Sequence, residues 1–129
     1  MPNVLTIILS NSQNYNFILQ NKINLKQFSN NAPEDDIYLL MSVLCQINYN
    51  NNNKFICYCF NQKNSVWYSY MDGKISKVDR IDINEVPFVL LYEIKKKTNT
   101  FEYKGIIQEE KIKLNIKFQN NSYIFIKIH

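Results

Sequence analysis

The chain has 129 residues, of which 46% are hydrophobic and 14% aromatic, and its formal net charge is +4. This length and composition are typical of one folded domain and exclude a disordered or low-complexity chain. Three cysteines are too few for a disulfide framework, and no apolar run reaches the length of a membrane span.

Short apolar segments separated by asparagine-rich turns make up the first part of the chain. Val4 to Leu9 is a continuous apolar run of strand length. Shorter extended segments are predicted at 16–19 and 23–28, ahead of a loop that contains Pro33. Residues 37–47 are strongly apolar and rich in β-branched side chains, which favours a buried strand, although a helix of this length is an alternative.

The centre of the chain predicts a series of hairpins. A polar tip at 48–53 separates the long apolar segment from the strands that follow. Asp72-Gly73 is a typical sequence for a two-residue hairpin turn. One helical turn is predicted at 82–85. The predicted strands cover residues 54–61, 66–71, 74–78 and 87–94.

Residues 98–129 alternate apolar and polar side chains in three stretches. Phe101 and Tyr103 belong to the first stretch, 112–118 to the second and 124–128 to the third. A period of two with one apolar face predicts strands. We therefore expect a C-terminal three-strand meander packed on the same domain as residues 1–97. The predicted fold is mainly β, an antiparallel sheet with little helix.

Two segments in the centre of the chain resemble the end of the ubiquitin-specific protease domain. These segments are Asn53-Lys54-Phe55-Ile56-Cys57-Tyr58 and Trp67-Tyr68-Ser69-Tyr70-Met71-Asp72. The family has Gly-His-Tyr-x-x-Tyr, a loop, and then Trp-x-x-Phe-Asp-Asp. Its His is the general base, and the first Asp orients that base. Lys54 stands at the His position here and Met71 at the position of the orienting acid.

Other blocks resemble family strands and follow in the family's order. They cover residues 1–9, 22–28, 38–44 and 86–93, so the resemblance extends over 1–97. It implies the C-terminal half of the domain, known as the palm. The nucleophilic Cys of the family and its fingers region belong to an N-terminal half that matches no part of this sequence.

The replaced positions suggest a protein without the family's chemistry. A cysteine protease needs a thiolate, a base and a group that orients the base. A solvated lysine is protonated near neutral pH, and methionine cannot fix an imidazole. Asp72 could bond locally or simply open the Asp-Gly turn. We expect a truncated pseudo-deubiquitinase, a non-catalytic protein-interaction or structural module that is not an enzyme and has no cofactor.

The aromatic residues kept in these segments have two interpretations. They form the core of a hairpin, where aromatic side chains pair across strands, or they line a groove for the extended ubiquitin tail. The predicted binding residues are Tyr49, Lys54, Phe55, Tyr58, Trp67, Tyr70 and Asp72.

A lysine-rich patch supports a second hypothesis. The patch consists of Lys95, Lys96, Lys97, Lys111 and Lys113. Such a run is either a solvated strand end or a phosphate contact. The second hypothesis is a basic subunit of a ribonucleoprotein particle, a ribosome or spliceosome. A third is the C-terminal half of a split deubiquitinase, with the catalytic Cys on another polypeptide.

The cysteines predict buried strand thiols. Cys57 and Cys59 share one face of a strand, and no Cys-x-x-Cys pair or internal His accompanies them. A zinc site is therefore not expected. Reduced cysteines favour the cytoplasm or nucleus. The expected partners are a protein or large assembly, with ubiquitin or particle-bound RNA as candidates and no membrane.

Overall fold

In a computed structural model, the regular secondary structure of the described residues is almost entirely β-strand. The model describes residues 3–10, 14–18, 20–24, 26, 31, 36–49, 52–81, 85–98, 100–107, 113–117 and 123–128. The strands are β1 (Val4–Ser10), β2 (Asn14–Ile18), β3 (Lys22–Asn24), β4 (Ile37–Tyr49), β5 (Asn52–Asn61), β6 (Val66–Met71), β7 (Lys74–Val78), β8 (Val86–Ile94), β9 (Lys113–Lys117) and β10 (Tyr123–Ile128). Within these residues, no helix is long and apolar enough to cross a membrane.

One antiparallel sheet organises the molecule. Its strand order is β10-β1-β8-β4-β5-β6-β7, and β3 pairs with β4 off this path. The strand β4 lies centrally because its first half is apolar on both faces, and Tyr38 to Met41 are all buried. The structure confirms the predicted fold class and the choice of strand over helix for residues 37–47.

The strands β4 to β7 follow one another as hairpins, as predicted. In the β5–β6 pair, Cys57 lies opposite Tyr70 and Phe60 opposite Trp67. The β6–β7 turn is Asp72-Gly73, with φ angles of 49° and 75°. Two left-handed central residues define a type I′ turn, whose twist matches that of the strands it joins. The turn places Asp72 beside the beginning of β5.

The core lies on one face of this sheet, where buried side chains alternate with less buried ones. It includes Leu5, Ile7, Val43, Cys45, Ile56, Tyr58, Phe60, Trp67, Leu90 and Tyr92. Full burial of a large apolar side chain contributes roughly 1.5–3 kcal/mol. Residues 101–107, which we call the strap, complete the core because Ile106 and Ile107 are buried in the same cluster.

Side-chain hydrogen bonds, not a strand ladder, attach the strap to the sheet. The indole Nε1 of Trp67 donates to the Lys104 carbonyl at 2.7 Å, and the Tyr103 hydroxyl donates to the Leu40 carbonyl at 2.8 Å. The Asn21 amide donates to the Ile107 carbonyl and accepts from the Ile107 N–H at 2.9 Å. These bonds give partners to backbone groups of Lys104 and Ile107, which strand pairing would otherwise satisfy.

The C-terminal strands are arranged differently from the expected meander. The strand β9 pairs with β2 in a separate two-stranded sheet, and β10 pairs with β1 at the edge of the main sheet. The strap contains no strand. Alternation of apolar and polar residues indicates a strand and its buried face, but not its partner. In this arrangement β10 covers a sheet edge that β1 would otherwise expose. The division into 1–97 and 98–129 stays a prediction.

Candidate functional site

Lys54 and Asp72 form an ion pair at one end of the main sheet. The Lys54 Nζ lies 3.2 Å from the Asp72 Oδ2, and the two side chains are 43% and 62% exposed. Lys54 extends from β5, and Asp72 is the first residue of the β6–β7 turn. Exposed pairs of this kind contribute only about 0.2–1 kcal/mol to stability. The fold therefore depends little on this pair, and both charges are accessible to a ligand.

Asp72 both opens the Asp-Gly turn and bonds locally, which were the two roles considered for it from the sequence. Its φ of 49° places it in the turn, and its carboxylate also contacts Lys54. Met71, at the position of the family's orienting acid, is partly buried and packs against the core. The acidic contact to residue 54 thus comes from the next residue along the chain. Asp72 restrains the Lys54 ammonium at the end of β5.

Exposed apolar side chains lie near this end of the sheet, on the face opposite the core. Phe55 follows Lys54 on β5, so the two side chains point to opposite faces of the strand. Phe55 is 53% exposed and makes an edge-to-face contact with Phe88, with ring centroids 5.6 Å apart. Gln46 lies opposite both Phe55 and Val86, and Tyr70 lies opposite Ile75. We call this surface the apolar rim, which consists of the exposed Phe55, Tyr70, Ile75 and Val86 and the half-buried Phe88. Adjacent exposed apolar side chains are typical of a binding surface.

Tyr58 and Trp67 lie in the core and not on the apolar rim. They are 3% and 2% exposed, so the packing interpretation describes them. The Tyr58 hydroxyl donates to the carboxylate of Glu85, which is also buried. The sequence analysis missed Glu85, which it placed at the end of the predicted helical turn at 82–85. Only its place directly before the apolar Val86-Pro87 could have drawn attention to it.

The remaining predicted residues lie elsewhere or are only partly described. Tyr49 is the last residue of β4, opposite Asn52, and its side chain lies outside the described part of the structure. Lys95, Lys96 and Lys97 are exposed after β8, and the Lys95 N–H donates to the Ile37 carbonyl at 2.8 Å. This fits a solvated strand end. Lys111 lies outside the described residues, and Lys113 is in β9, where only the backbone is described.

Cys45 and Cys57 are poor candidates for a nucleophile. Cys45 is fully buried, and burial, followed by the nearby Glu85 carboxylate and Cys57, raises its thiol pKa well above the usual range. Burial also raises the pKa of Cys57, against the opposing effect of its hydrogen bond with Ser42. Thiols with raised pKa values stay protonated and react slowly. No cluster of three or more His, Cys, Asp or Glu among the described residues could hold a metal ion.

Comparison with known proteins identifies the family of the chain. The family model described as ubiquitin carboxyl-terminal hydrolase matches residues 1–124, so the resemblance extends beyond residue 97 and the family prediction is confirmed. No curated protein matches the chain in sequence.

Several similar solved structures are SAGA DUB modules. The SAGA Ubp8/Sgf11/Sus1/Sgf73 DUB module matches with a TM-score of 0.59 and 19% identity, over 74% of this chain and 24% of that one. A variant of that module bound to monoubiquitin gives the same values. A yeast SAGA DUB module with a mutant Sgf73 matches with a TM-score of 0.59 and 18% identity, over 74% and 26%. The chain spans about a quarter of their length, and at this identity the likeness shows the fold.

The prediction that the chain is not an enzyme is wrong. The matched family is one of hydrolases, and the match covers residues 1–124. The prediction relied on the identities of Lys54 and Met71 and on the lack of a match to the half of the domain that carries the nucleophilic Cys. Two replaced side chains locate a change in the motif, but they do not show a loss of turnover, and Asp72 supplies an acidic contact to residue 54. No comparison supports the expected RNA partner.

Proposed function

Because this chain belongs to the ubiquitin carboxyl-terminal hydrolase family, we propose that it works in the hydrolysis of ubiquitin conjugates by binding the C-terminal tail of ubiquitin. One observation carries the proposal. The Lys54–Asp72 ion pair lies in solvent at the end of β5, where the family resemblance puts the base and its acids, and the apolar rim begins at Phe55, the next residue of the strand. A fixed charge next to exposed aromatic side chains suits an extended peptide.

Each part of this surface has a chemical task in the proposal. The Lys54 ammonium donates a charge-assisted hydrogen bond to a carbonyl or carboxylate oxygen at the end of the tail. Asp72 keeps that ammonium in place, which lowers the cost of ordering a flexible side chain on binding. Phe55 and Tyr70 provide apolar contact for the residues that precede the end of the tail. Lys54 therefore binds and polarises the substrate.

The nucleophile and the proton acceptor come from elsewhere in the enzyme. An ammonium cannot take the proton of a thiol, and Cys45 is closed to solvent with a raised pKa. We place both groups outside the described residues, on the thiol-bearing half of the domain. That half completes the site either in the same polypeptide or in a partner within an assembly.

Titration of fluorescent monoubiquitin with the purified chain tests the proposed binding. We expect Lys54→Ala to weaken binding about tenfold, because a charged hydrogen bond contributes roughly 1.5–3 kcal/mol and about 1.4 kcal/mol is a factor of ten. Lys96→Ala, which removes an exposed lysine after β8, should leave the affinity unchanged. Ubiquitin lacking its last residues should bind the wild-type chain as weakly as full-length ubiquitin binds the Lys54 variant. Equal affinity for both forms of ubiquitin would overturn tail recognition.

A further inference from the structure

Two thiols and a hydroxyl meet on the face of the main sheet opposite the core. The Sγ atoms of Cys57 and Cys59 are 3.6 Å apart. The Ser42 Oγ lies 3.7 Å from the first sulfur and 3.6 Å from the second. Alternate residues of a strand share a face, and Ser42 lies opposite Cys59 in the β4–β5 pairing. The pairing of central strands thus holds the three groups in a triangle.

We propose that Cys57 and Cys59 form a two-thiolate binding site for a soft monovalent metal ion, of which Cu(I) is the biological example. Thiolate ligands select Cu(I), zinc and iron–sulfur clusters among the metals available to a cell. A structural zinc ion needs four protein ligands, and no such cluster occurs among the described residues. A site with only two sulfurs therefore favours an ion that accepts low coordination. This inference is independent of the proposed role in ubiquitin hydrolysis.

The distance between the sulfurs suits an ion better than a disulfide bond. With metal–sulfur bonds of about 2.3 Å, a linear two-coordinate ion needs sulfurs about 4.6 Å apart, so the 3.6 Å separation must open by about 1.0 Å. A disulfide needs the sulfurs to close to about 2.05 Å. Cα atoms two residues apart on a strand are about 6.4–6.8 Å apart, at the upper limit for a disulfide. Oxidation would therefore bend β5, whereas a bridging ion leaves it straight.

The surroundings of the thiols support an ion held by thiolates. Both thiols lose their protons on binding, so Cu(I) and two thiols give a bis-thiolate complex of charge −1 and two released protons. The Ser42 hydroxyl can donate to either sulfur and stabilise that charge. Leu44 and Tyr70 lie opposite Cys57 on the flanking strands, and Tyr68 lies opposite Cys59. Leu44 and Tyr68 are half-buried, and Tyr70 presents an aromatic ring, so water has limited access to the bound ion.

Anaerobic titration with the acetonitrile complex of Cu(I), in competition with the chelator bicinchoninate, tests the site. The wild-type chain should bind one Cu(I), with a thiolate-to-copper absorption band. Cys57→Ser and Cys59→Ser should each abolish this stoichiometric binding. Ser42→Ala should weaken it about tenfold, the loss typical of a group that supports a metal ligand. Zn(II) should not be retained under the same conditions.

Cys45→Ala is the matched control, because Cys45 is buried on the other face of the sheet. Far-ultraviolet circular dichroism and a thermal melt establish that each variant is folded. The Cys45 variant should keep one Cu(I). The proposal fails if wild-type protein releases all copper to the chelator. It also fails if either folded serine variant keeps one equivalent, or if the folded Cys45 variant loses it.

Discussion

At the scale of single residues, two buried groups that stay protonated in the folded state make the stability of the fold depend on pH in the alkaline range. Tyr92 is 1% exposed, and its hydroxyl donates to the Gln20 carbonyl at 2.9 Å. Burial raises its pKa above the usual value of 10, and burial also raises the pKa of Cys45 above the usual value of 9. In the unfolded chain both groups ionise at these usual values. The folded state then binds more protons, so stability is full below pH 9 and falls as the pH rises further.

Tyr92→Phe should separate the hydrogen bond from the titration. At pH 7 the variant should lose about 1 kcal/mol of unfolding free energy, since one hydrogen bond is removed. Between pH 9 and pH 11 its stability should fall less steeply than that of the wild type. Urea unfolding across this range measures both effects, and Tyr70→Phe, at an exposed tyrosine, provides the control. If the stability of Tyr92→Phe falls with pH as steeply as that of the wild type, the titration of Tyr92 does not cause the alkaline loss of stability.

The sequence identified the residues of the candidate site more readily than their arrangement. The family resemblance drew attention to Lys54 and Asp72, but their ion pair depends on the β5–β6 register and on the turn conformation. Phe55 and Tyr58 looked equivalent in the sequence. They lie three residues apart on β5 and so face opposite sides, which leaves Phe55 exposed and Tyr58 buried.

At the scale of elements, Asn21 and Gly105 fix the strap to the sheet. A Cβ atom on Gly105 would overlap the Asn21 side-chain amide. That amide is buried and bonds both the N–H and the C=O of Ile107. Asn21 also accepts the Leu40 N–H at its own backbone carbonyl, at 2.8 Å. The absence of a side chain at residue 105 is therefore a packing requirement of the strap.

Gly105→Ala should cost about 2–3 kcal/mol of unfolding free energy, because two hydrogen bonds of a buried amide are displaced. Asn21→Ala removes the same bonds. The double variant should therefore be about as stable as Asn21→Ala alone, which denaturant titration can establish in a double-mutant cycle. Gly73→Ala is the control. Its added methyl group lies in open space, so the loss of stability in this variant measures only the cost of the positive φ at residue 73. Fully additive losses at residues 21 and 105 would exclude the packing explanation.

The strap also shows why some elements were not predicted. The hairpins from β4 to β7 have local signals, namely alternating strands and an Asp-Gly turn. The Asn21–Ile107 bonds join residues 86 positions apart, and no local pattern encodes them. Phe101 and Tyr103 alternate with polar residues as in a strand. Their apolar side chains instead pack against the core from an irregular segment.

At the scale of the whole molecule, most strands could be predicted from the sequence, but the pairing between strands could not. The central place of β4 follows from its apolar first half, which needs cover on both faces. The pairing of β10 with β1 brings together residues from the two ends of the sequence. Such long-range pairing depends on which edge remains open after the rest of the sheet has formed. The family match to residue 124, which includes part of β10, is consistent with this closure.

The most direct test of the central claim is hydrolysis of ubiquitin–aminocoumarin by the tagged chain, isolated from its own cells together with its bound partners. We predict turnover by the wild-type assembly, about tenfold less with Lys54→Ala in the chain, and no change with Lys96→Ala. Mass spectrometry of each preparation ensures that the partners are the same. Absence of turnover in the wild-type assembly, or turnover that Lys54→Ala does not affect, would contradict a role of this chain in ubiquitin hydrolysis through the Lys54–Asp72 surface.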